Sequence, residues 1–573
     1  MSQPHSLQKT RSRTNWAVQI GLGVVLTVVG LGIGFSIPQQ LFVEASLSED
    51  QLLIELNTSP VATPFGRVEF WLSIDGADWH LKSTDDAGFD GWQLASVQNV
   101  ESTFQVRAVM TDLLGQTHQA QSTYFKQSAI QSSNENELLD MNEAFPILIE
   151  SLIAGDFQKR SKIAMWMGYT GDERFLPYLI ETLQFSQADN IQEALKTLSG
   201  QSFTGGKALR QWYEWLWAQS LALDESFFDW KRRLFAHEVP AMQPLLSEKG
   251  SLDWRAVVWG GVPPGGIPPL KNPSTLAATE ADFFQPNDII FGAVIHGEAR
   301  AYPVRMMDWH ELANDELGGE FAVLSYCPLC GSAVLFNRRV GETVYSFNTS
   351  GLLYESNKLM FDEQTMSLWP NVVGKPLAGA LAGSGMVLER FPLTTTTWEN
   401  WVAMHPNTDV LDPSGNGLLN YETHEAYDLY RVSRDTLAPV SVSDDRLAAK
   451  DWVFGLVLDD QATAYAVREL EAQGIWNDQI GSQTLVILAD PLPGSQFGFY
   501  PATVRAFERR DFVFVKSNEG ISDQHGMLWT LTEEALISAS GERLSRIYGE
   551  TTYWFSWSAF HLETDLKLLH PEA

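Results

Sequence analysis

The chain predicts a multi-domain α+β protein. An N-terminal transmembrane helix leads an immunoglobulin-like β-sandwich, a HEAT-like helical segment and a duplicated, two-lobed α+β C-terminal domain. Three observations predict this. One uncharged apolar run opens the chain. The hydrophobic period then changes from two to about 3.6. Finally, the C-terminal half repeats itself at a nearly constant spacing. At 573 residues with 44 % hydrophobic content, the chain can fill several cores. Its formal net charge of −32 excludes the basic footprint that nucleic acid requires. It also argues against docking on anionic lipid headgroups.

Trp16 to Ile37 is apolar and carries no charge, long enough to span a hydrocarbon core as a helix. Lys9, Arg11 and Arg13 precede it, and neither Lys nor Arg follows it through Glu49. The positive-inside rule places the N-terminus in the cytoplasm and the bulk of the chain outside. An uncleaved anchor is favoured over a signal peptide, because the run is long and lacks a small-x-small cleavage site. Residues 1–40 are therefore read as a cytoplasmic stub and anchor.

Residues 41–126 change to strand patterning. Leu52–Leu56, Arg67–Ile74 and Thr103–Met110 alternate or run apolar, and Asp75-Gly76 and Leu114-Gly115 mark turns. This predicts a small immunoglobulin-like sandwich without a disulfide. Gln127 to Glu137 is polar and reads as a linker. Residues 127–236 then turn helical, and Ala144–Ile153 and Phe175–Leu183 look like two copies of one helix, with an echo at Ile191–Leu198. HEAT-like repeats are the expectation.

The C-terminal half carries the duplication. Ala301–Asp315 aligns without gaps on Ala464–Asp478, 163 residues further on. The same spacing carries Phe291-Gly292 onto Phe454-Gly455, and Cys327–Ser332 onto Asp490–Ser495. Thr397–His405 matches Tyr553–His561. Two lobes follow, over residues 253–440 and 441–573. Residues kept in both read as architecture: Tyr302/Tyr465, Asn314/Asn477, Asp315/Asp478, Trp398/Trp554 and His405/His561. Asn-Asp ahead of Gly318 and Gly481 suggests a helix end and turn.

Residues found only in the first lobe are the functional candidates: His310, Glu311, Cys327 and Cys330. Gln473, Gly474, Asp490 and Pro493 replace them in the second. Cys327 and Cys330 are the only cysteines in the chain. The apolar runs on either side predict a strand, a tight turn and a second strand around them.

Three readings of the C-x-x-C stand open. It can be a thiol–disulfide redox pair, in which one thiolate attacks and the other resolves. It can be a soft metal site for zinc or copper on Cys327, Cys330 and His310, with Glu311, Met360 or Asp362 as the fourth ligand. Or it can be a permanent disulfide of an oxidising compartment. Covalent haem attachment is disfavoured because Gly331 follows Cys330. Asp362, Thr365 and Ser367 either line a cleft or cap turns.

These residues carry a family resemblance. Gly266–Leu270, Arg300–Pro303, His310-Glu311 with Asn314-Asp315, and Tyr326–Cys330 resemble the family called domain of unknown function 3179. So do Ser350-Gly351, Met360 and Asp362 with Thr365, Ser367, Leu368 and Trp369, and Trp398 through His405-Pro406. The resemblance covers about Asp253 to Asp565. It implies a bacterial or archaeal, often exported protein and carries no activity with it. Some members of the family are selenoproteins, which implies redox chemistry at the positions of Cys327 or Cys330.

The expectation is therefore a membrane-anchored, extracytoplasmic protein. It carries a thiol redox or thiolate–metal site, with His310 as base or ligand and Glu311 orienting it. If it is an enzyme, it is a thiol- or metal-dependent oxidoreductase. The alternative is a non-catalytic cell-envelope module that binds a glycan or a protein through its aromatic-rich lobes, with the C-x-x-C as a structural disulfide.

Overall fold

The computed structural model describes backbone strands between Val18 and Tyr124, and residues 141–568 apart from short stretches at 156, 187–188, 220, 222, 417–420, 422–425, 493–499 and 518–519. Side chains are described from Ala144 onward. The architecture is multi-domain α+β. The chain divides into two compact units, residues 1–209 and 210–573.

In the first unit, backbone pairing gives two four-stranded sheets between Val18 and Tyr124. One departs from expectation. Val18–Leu26, inside the run read as a spanning helix, is a strand paired antiparallel with Gln39–Ser48. Its β-branched Val18, Ile20, Val24 and Val25, broken by Gly21 and Gly23, suit a strand as well as an apolar helix. The rest of the expected span and the Gln127–Glu137 linker lie outside the described residues. Among the described residues no helix is long and apolar enough to cross a membrane. Helices Met141–Ala154, Phe157–Thr170, Leu176–Leu183 and Asp189–Ser199 follow. They include the three stretches that looked alike in sequence.

The second unit contains the duplication as geometry. In the first lobe, a hairpin of Ile289–Ile295 and Glu298–Pro303 leads into helix Val304–His310. Strand Thr394–Thr397, helix Trp398–Met404 and strand Asp409–Leu411 complete this layer. Thr394–Thr397 pairs antiparallel with the first hairpin strand, and Asp409–Leu411 parallel with the second. The second lobe repeats each step. Trp452–Leu458 and Gln461–Ala466 form the hairpin, Val467–Gln473 the helix, Glu550–Tyr553 the antiparallel neighbour and Asp565–Lys567 the parallel one.

Side chains repeat with the backbone. Trp401 Nε1 donates to Thr408 Oγ1 over 2.9 Å, and Trp557 Nε1 to Thr564 Oγ1 over 2.8 Å. Each indole lies on a glycine. A Cβ on Gly292 would sit 2.4 Å from Trp401, and one on Gly455 2.2 Å from Trp557, so only glycine admits the ring.

After its hairpin and helix, each lobe builds a meander. Asn314 and Asn477 were expected at helix ends, but they stand inside strands Leu312–Leu317 and Ile475–Ile480. Their work is to join strands that the ladder leaves apart. Asn314 donates to the Phe347 carbonyl (2.9 Å) and accepts from its N–H (2.7 Å). Asn477 does the same with Phe514, at 2.9 and 2.8 Å. The neighbouring aspartates accept the hydroxyls of Tyr302 and Tyr465, both at 2.8 Å. Side-chain pairing overrides the local turn signal here.

The lobes interlock. Leu492 and Tyr500 of the second are buried in the hairpin-and-helix core of the first. Tyr548 and Phe560 pack against the first lobe's meander core.

Candidate functional site

Strand Glu320–Cys327 delivers Cys327 to the end of the meander, and Ser332–Asn337 leaves again, as the apolar runs predict. Between them the chain turns, with Cys330 N–H donating to the Cys327 carbonyl over 3.1 Å. The two sulfurs are joined as a disulfide. Gly331 has φ +66°, and a Cβ there would meet the Trp452 ring at 2.6 Å. The second lobe thus lies flat on the turn.

Every carbonyl of the turn after Pro328 is gripped. Leu329 accepts from the Tyr430 hydroxyl (2.6 Å), and Gly331 from the Tyr500 hydroxyl (2.8 Å). Cys330 accepts from Tyr553 N–H (2.9 Å) and from the Thr552 hydroxyl (3.0 Å). The cysteines are sealed, at 1 % and 0 % exposure.

Beneath this turn lies a dense set of buried charges. Lys358 Nζ donates to the Tyr326 carbonyl (2.5 Å), one peptide bond from Cys327, and to the Glu311 carbonyl (2.9 Å). Its ammonium is 3.7 Å from the Glu311 carboxylate. Burial outweighs that charge and brings the amine down to about 8. Burial also raises the Glu311 carboxyl, against the pull of Lys358 and of the Tyr427 hydroxyl 2.9 Å away. Asp308 and Arg431 form a second buried ion pair, and the Tyr326 hydroxyl bonds to Asp308 over 3.2 Å.

Glu311 caps helix Val304–His310 with φ +57°, a left-handed conformation that disfavours side chains. Its counterpart in the second lobe is Gly474, φ +74°, as such a cap prefers. A carboxylate is held where the fold asks for glycine.

His310 is buried beside it. Its Nδ1 is 2.9 Å from the Pro268 carbonyl and its Nε2 2.5 Å from the Tyr421 hydroxyl. Only a protonated Nδ1 can face a carbonyl, so Nε2 accepts from Tyr421. Burial lowers the imidazole's pKa and keeps it neutral. The structure therefore brings Cys327, Cys330 and Glu311 together through Tyr326 and Lys358, while Pro268 and Tyr421 engage both ring nitrogens of His310.

A metal on Cys327, Cys330 and His310 needs two thiolates and a free imidazole lone pair. In this state the sulfurs are bonded to each other and Tyr421 takes the lone pair, so the arrangement does not fit the ion. Among the described residues no group of three His, Cys, Asp or Glu could hold a metal.

The remaining candidates are architectural. Asp362 accepts from Thr365 N–H (2.6 Å), the Thr365 hydroxyl (2.8 Å) and Trp369 Nε1 (3.0 Å), and Ser367 Oγ accepts from Leu381 N–H (3.0 Å). The second lobe repeats the device with Asp523 and Trp529, 3.1 Å apart. Met360 is fully buried in the meander core. Of the positions that replace the candidates in the second lobe, Asp490 pairs with exposed Lys516 (3.0 Å), and Pro493 lies outside the described residues.

Several residues of the site went unnoticed in the sequence, among them Lys358, Glu355 and Ser356. Lys358 carried a signal, a lone cation between Asn357 and the apolar Leu359-Met360-Phe361. Glu355 and Ser356 did not. They form the two-residue turn between paired Tyr354 and Asn357, with φ +51° and +56°. Both central positions of such a turn need positive φ, which Asn-Gly normally supplies. The turn is buried and pressed on the disulfide, the Ser356 carbonyl oxygen lying 3.9 Å from Cys330 Sγ. Glu355 is held by Ser441 N–H at 2.7 Å, and Asn357 by the Ser556 hydroxyl at 2.6 Å.

Comparison with known proteins gives one match. The model of the family described as Protein of unknown function (DUF3179) matches residues 264–564, which span the C-x-x-C and both lobes. No curated protein and no solved structure matches the chain.

Proposed function

The chain belongs to the DUF3179 family, and from that premise we propose that Cys327 and Cys330 are a thiol–disulfide redox centre in an extracytoplasmic, membrane-anchored protein. The observation that carries the proposal is the buried Lys358–Glu311 pair, bonded to the strand end that bears Cys327. Buried charges destabilise a fold unless their pairing is close to ideal. The second lobe makes the same scaffold with Gly474 in place of Glu311 and without the cysteines. An ammonium one residue from Cys327 favours a thiolate there once the disulfide opens. Glu311 fixes that ammonium, and His310 positions the helix end that carries Glu311. Exchange with a partner thiol requires the Trp452 and Tyr553 edge to lift from Gly331, since the sulfurs are sealed.

That sealing favours a second reading, in which the disulfide is a staple of a cell-envelope module that binds a glycan or a protein. The N-terminal segments enter either reading in the same way. Trp16–Ile37 attaches the chain to the membrane, which requires Val18–Leu26 to leave its pairing with Gln39–Ser48, the immunoglobulin-like strands act as a spacer, and the HEAT-like helices join it to the lobes. The apolar run behind Lys9, Arg11 and Arg13 supports the anchor.

The test uses the full chain in detergent, purified without oxygen, counting free thiols and bound metal on wild type and Cys327→Ser. A disulfide that cycles under mild dithiol while the protein stays folded supports the redox centre. Resistance until unfolding overturns it in favour of the staple. A bound zinc or copper lost in the mutant overturns it in favour of a thiolate–metal site.

A further inference from the structure

Ser356 is fully buried, and its hydroxyl has no hydrogen-bond partner among the described residues. A buried, unpaired hydroxyl destabilises the fold that holds it. The side chain is also carried on a left-handed backbone in a turn where glycine would be easier. Two local penalties coincide at the residue whose carbonyl oxygen lies 3.9 Å from Cys330 Sγ. Unfavourable local conformations that persist in a well-determined surround mark functional positions.

We propose that Ser356 is a hydrogen-bonding partner held in reserve for the reduced form of Cys330. Reduction by a dithiol breaks the S–S bond. Two electrons pass to the pair, one proton goes to Cys330, Cys327 is left as the thiolate that Lys358 favours with the other proton released to solvent, and the reductant leaves as its own disulfide. Cys330 then acquires an S–H that donates to the Ser356 carbonyl, already within sulfur hydrogen-bond reach. Its sulfur, freed from Cys327, accepts from the Ser356 hydroxyl after rotation about one side-chain bond. The disulfide offers neither interaction as fully, since it has no hydrogen to donate and its lone pairs are weak acceptors. Ser356 therefore stabilises the dithiol over the disulfide and makes the pair more oxidising. The inference rests on the redox reading above and assigns the residue that sets its equilibrium.

The experiment equilibrates the full-length protein with a reference dithiol at one fixed pH and measures the fraction reduced. Wild type is compared with Ser356→Ala and with Ser356→Gly, which also lacks the hydroxyl but relaxes the left-handed backbone. Both variants should be about tenfold harder to reduce, about 30 mV lower for this two-electron couple. The oxidised Ser356→Gly protein should be at least as stable as wild type, because its unpaired hydroxyl and its strain are both gone. A hydroxyl that matters only for packing would lower stability and leave the equilibrium unchanged. Unchanged equilibria in both variants, with a reducible wild type, overturn the inference alone. A wild-type disulfide that stays closed until the protein unfolds overturns the inference together with the redox reading.

Discussion

Position 311 is glutamate in the first lobe, and position 474 is glycine at the same left-handed helix cap in the second. Around Gly474 the turn is relaxed, and the nearby Asp490 is answered by an exposed lysine. Around Glu311 the structure holds a buried ammonium, a second ion pair, three tyrosine hydroxyls and a disulfide. The scaffold is the same to the level of individual hydrogen bonds. Glycine, tryptophan, asparagine and aspartate recur because the fold needs them. Among the described residues, buried charge does not recur around this cap.

The largest effect expected from this comparison lies in the shared architecture. Trp401→Ala and Trp557→Ala each empty the space over a glycine and remove the bond to a threonine. Each should cost about 3–5 kcal/mol, as truncations of buried tryptophan do. Because Leu492 and Tyr500 are buried in the first lobe's core, one cooperative transition should shift by a similar amount in either variant, followed by near-ultraviolet dichroism in urea. Two resolved transitions, only one of which moves, would show that the lobes are independent.

A smaller effect separates the lobes at their matched aspartates. Asp478 accepts the Tyr465 hydroxyl, and its lobe has Thr463 where the first has Arg300. Asp315 accepts the Tyr302 hydroxyl and both carboxylate oxygens also meet the Arg300 guanidinium, at 2.8 and 2.7 Å. Asp315→Ala takes the nearest carboxylate from a largely buried cation, leaving it the Glu316 carbonyl at 3.0 Å and Asp409 at 3.8 Å, and removes the acceptor of a hydroxyl as well, and should cost about 3 kcal/mol. Asp478→Ala should cost about 1–2 kcal/mol. Equal losses in chemical denaturation would mean that Arg300 finds water and adds nothing.

Much of this contrast was legible in the sequence. The spacing between repeats separated Tyr302, Asp315, Trp398 and His405 from His310, Glu311, Cys327 and Cys330, and the apolar runs placed the cysteines between two strands. The pattern did not reveal the use of Asn314 and Asn477, since their strand-bridging bonds form with residues more than 30 positions away. Ser356 was silent for a related reason. A serine in a turn is ordinary, and only its burial against Cys330 makes it unusual. His310 looked like a partner for the thiols because it occurs only in the first lobe and could serve as base or ligand, but both its ring nitrogens are engaged elsewhere. Its ring meets Pro268 and Tyr421.

The smallest expected change is also the most direct test of the difference between the lobes, since it converts one cap into the other. Glu311→Gly relieves the left-handed strain, a gain of about 1 kcal/mol. It also leaves Lys358 buried without its carboxylate, and stranding a buried charge costs several times that. The single variant should therefore lose about 1–2 kcal/mol overall, the Lys358 carbonyl bonds softening the loss. Lys358→Met alone strands the Glu311 carboxyl instead, and burial lets that group protonate, so the loss should be of similar size. Combining the two removes both charges and keeps the relaxed cap. The double variant should return to within about 0.5 kcal/mol of wild type, a coupling of about 2–3 kcal/mol at the upper end of the range seen for contacting buried pairs. Additive losses in the urea midpoints would mean that the two groups do not interact, and the pair would then no longer distinguish the first lobe from the second.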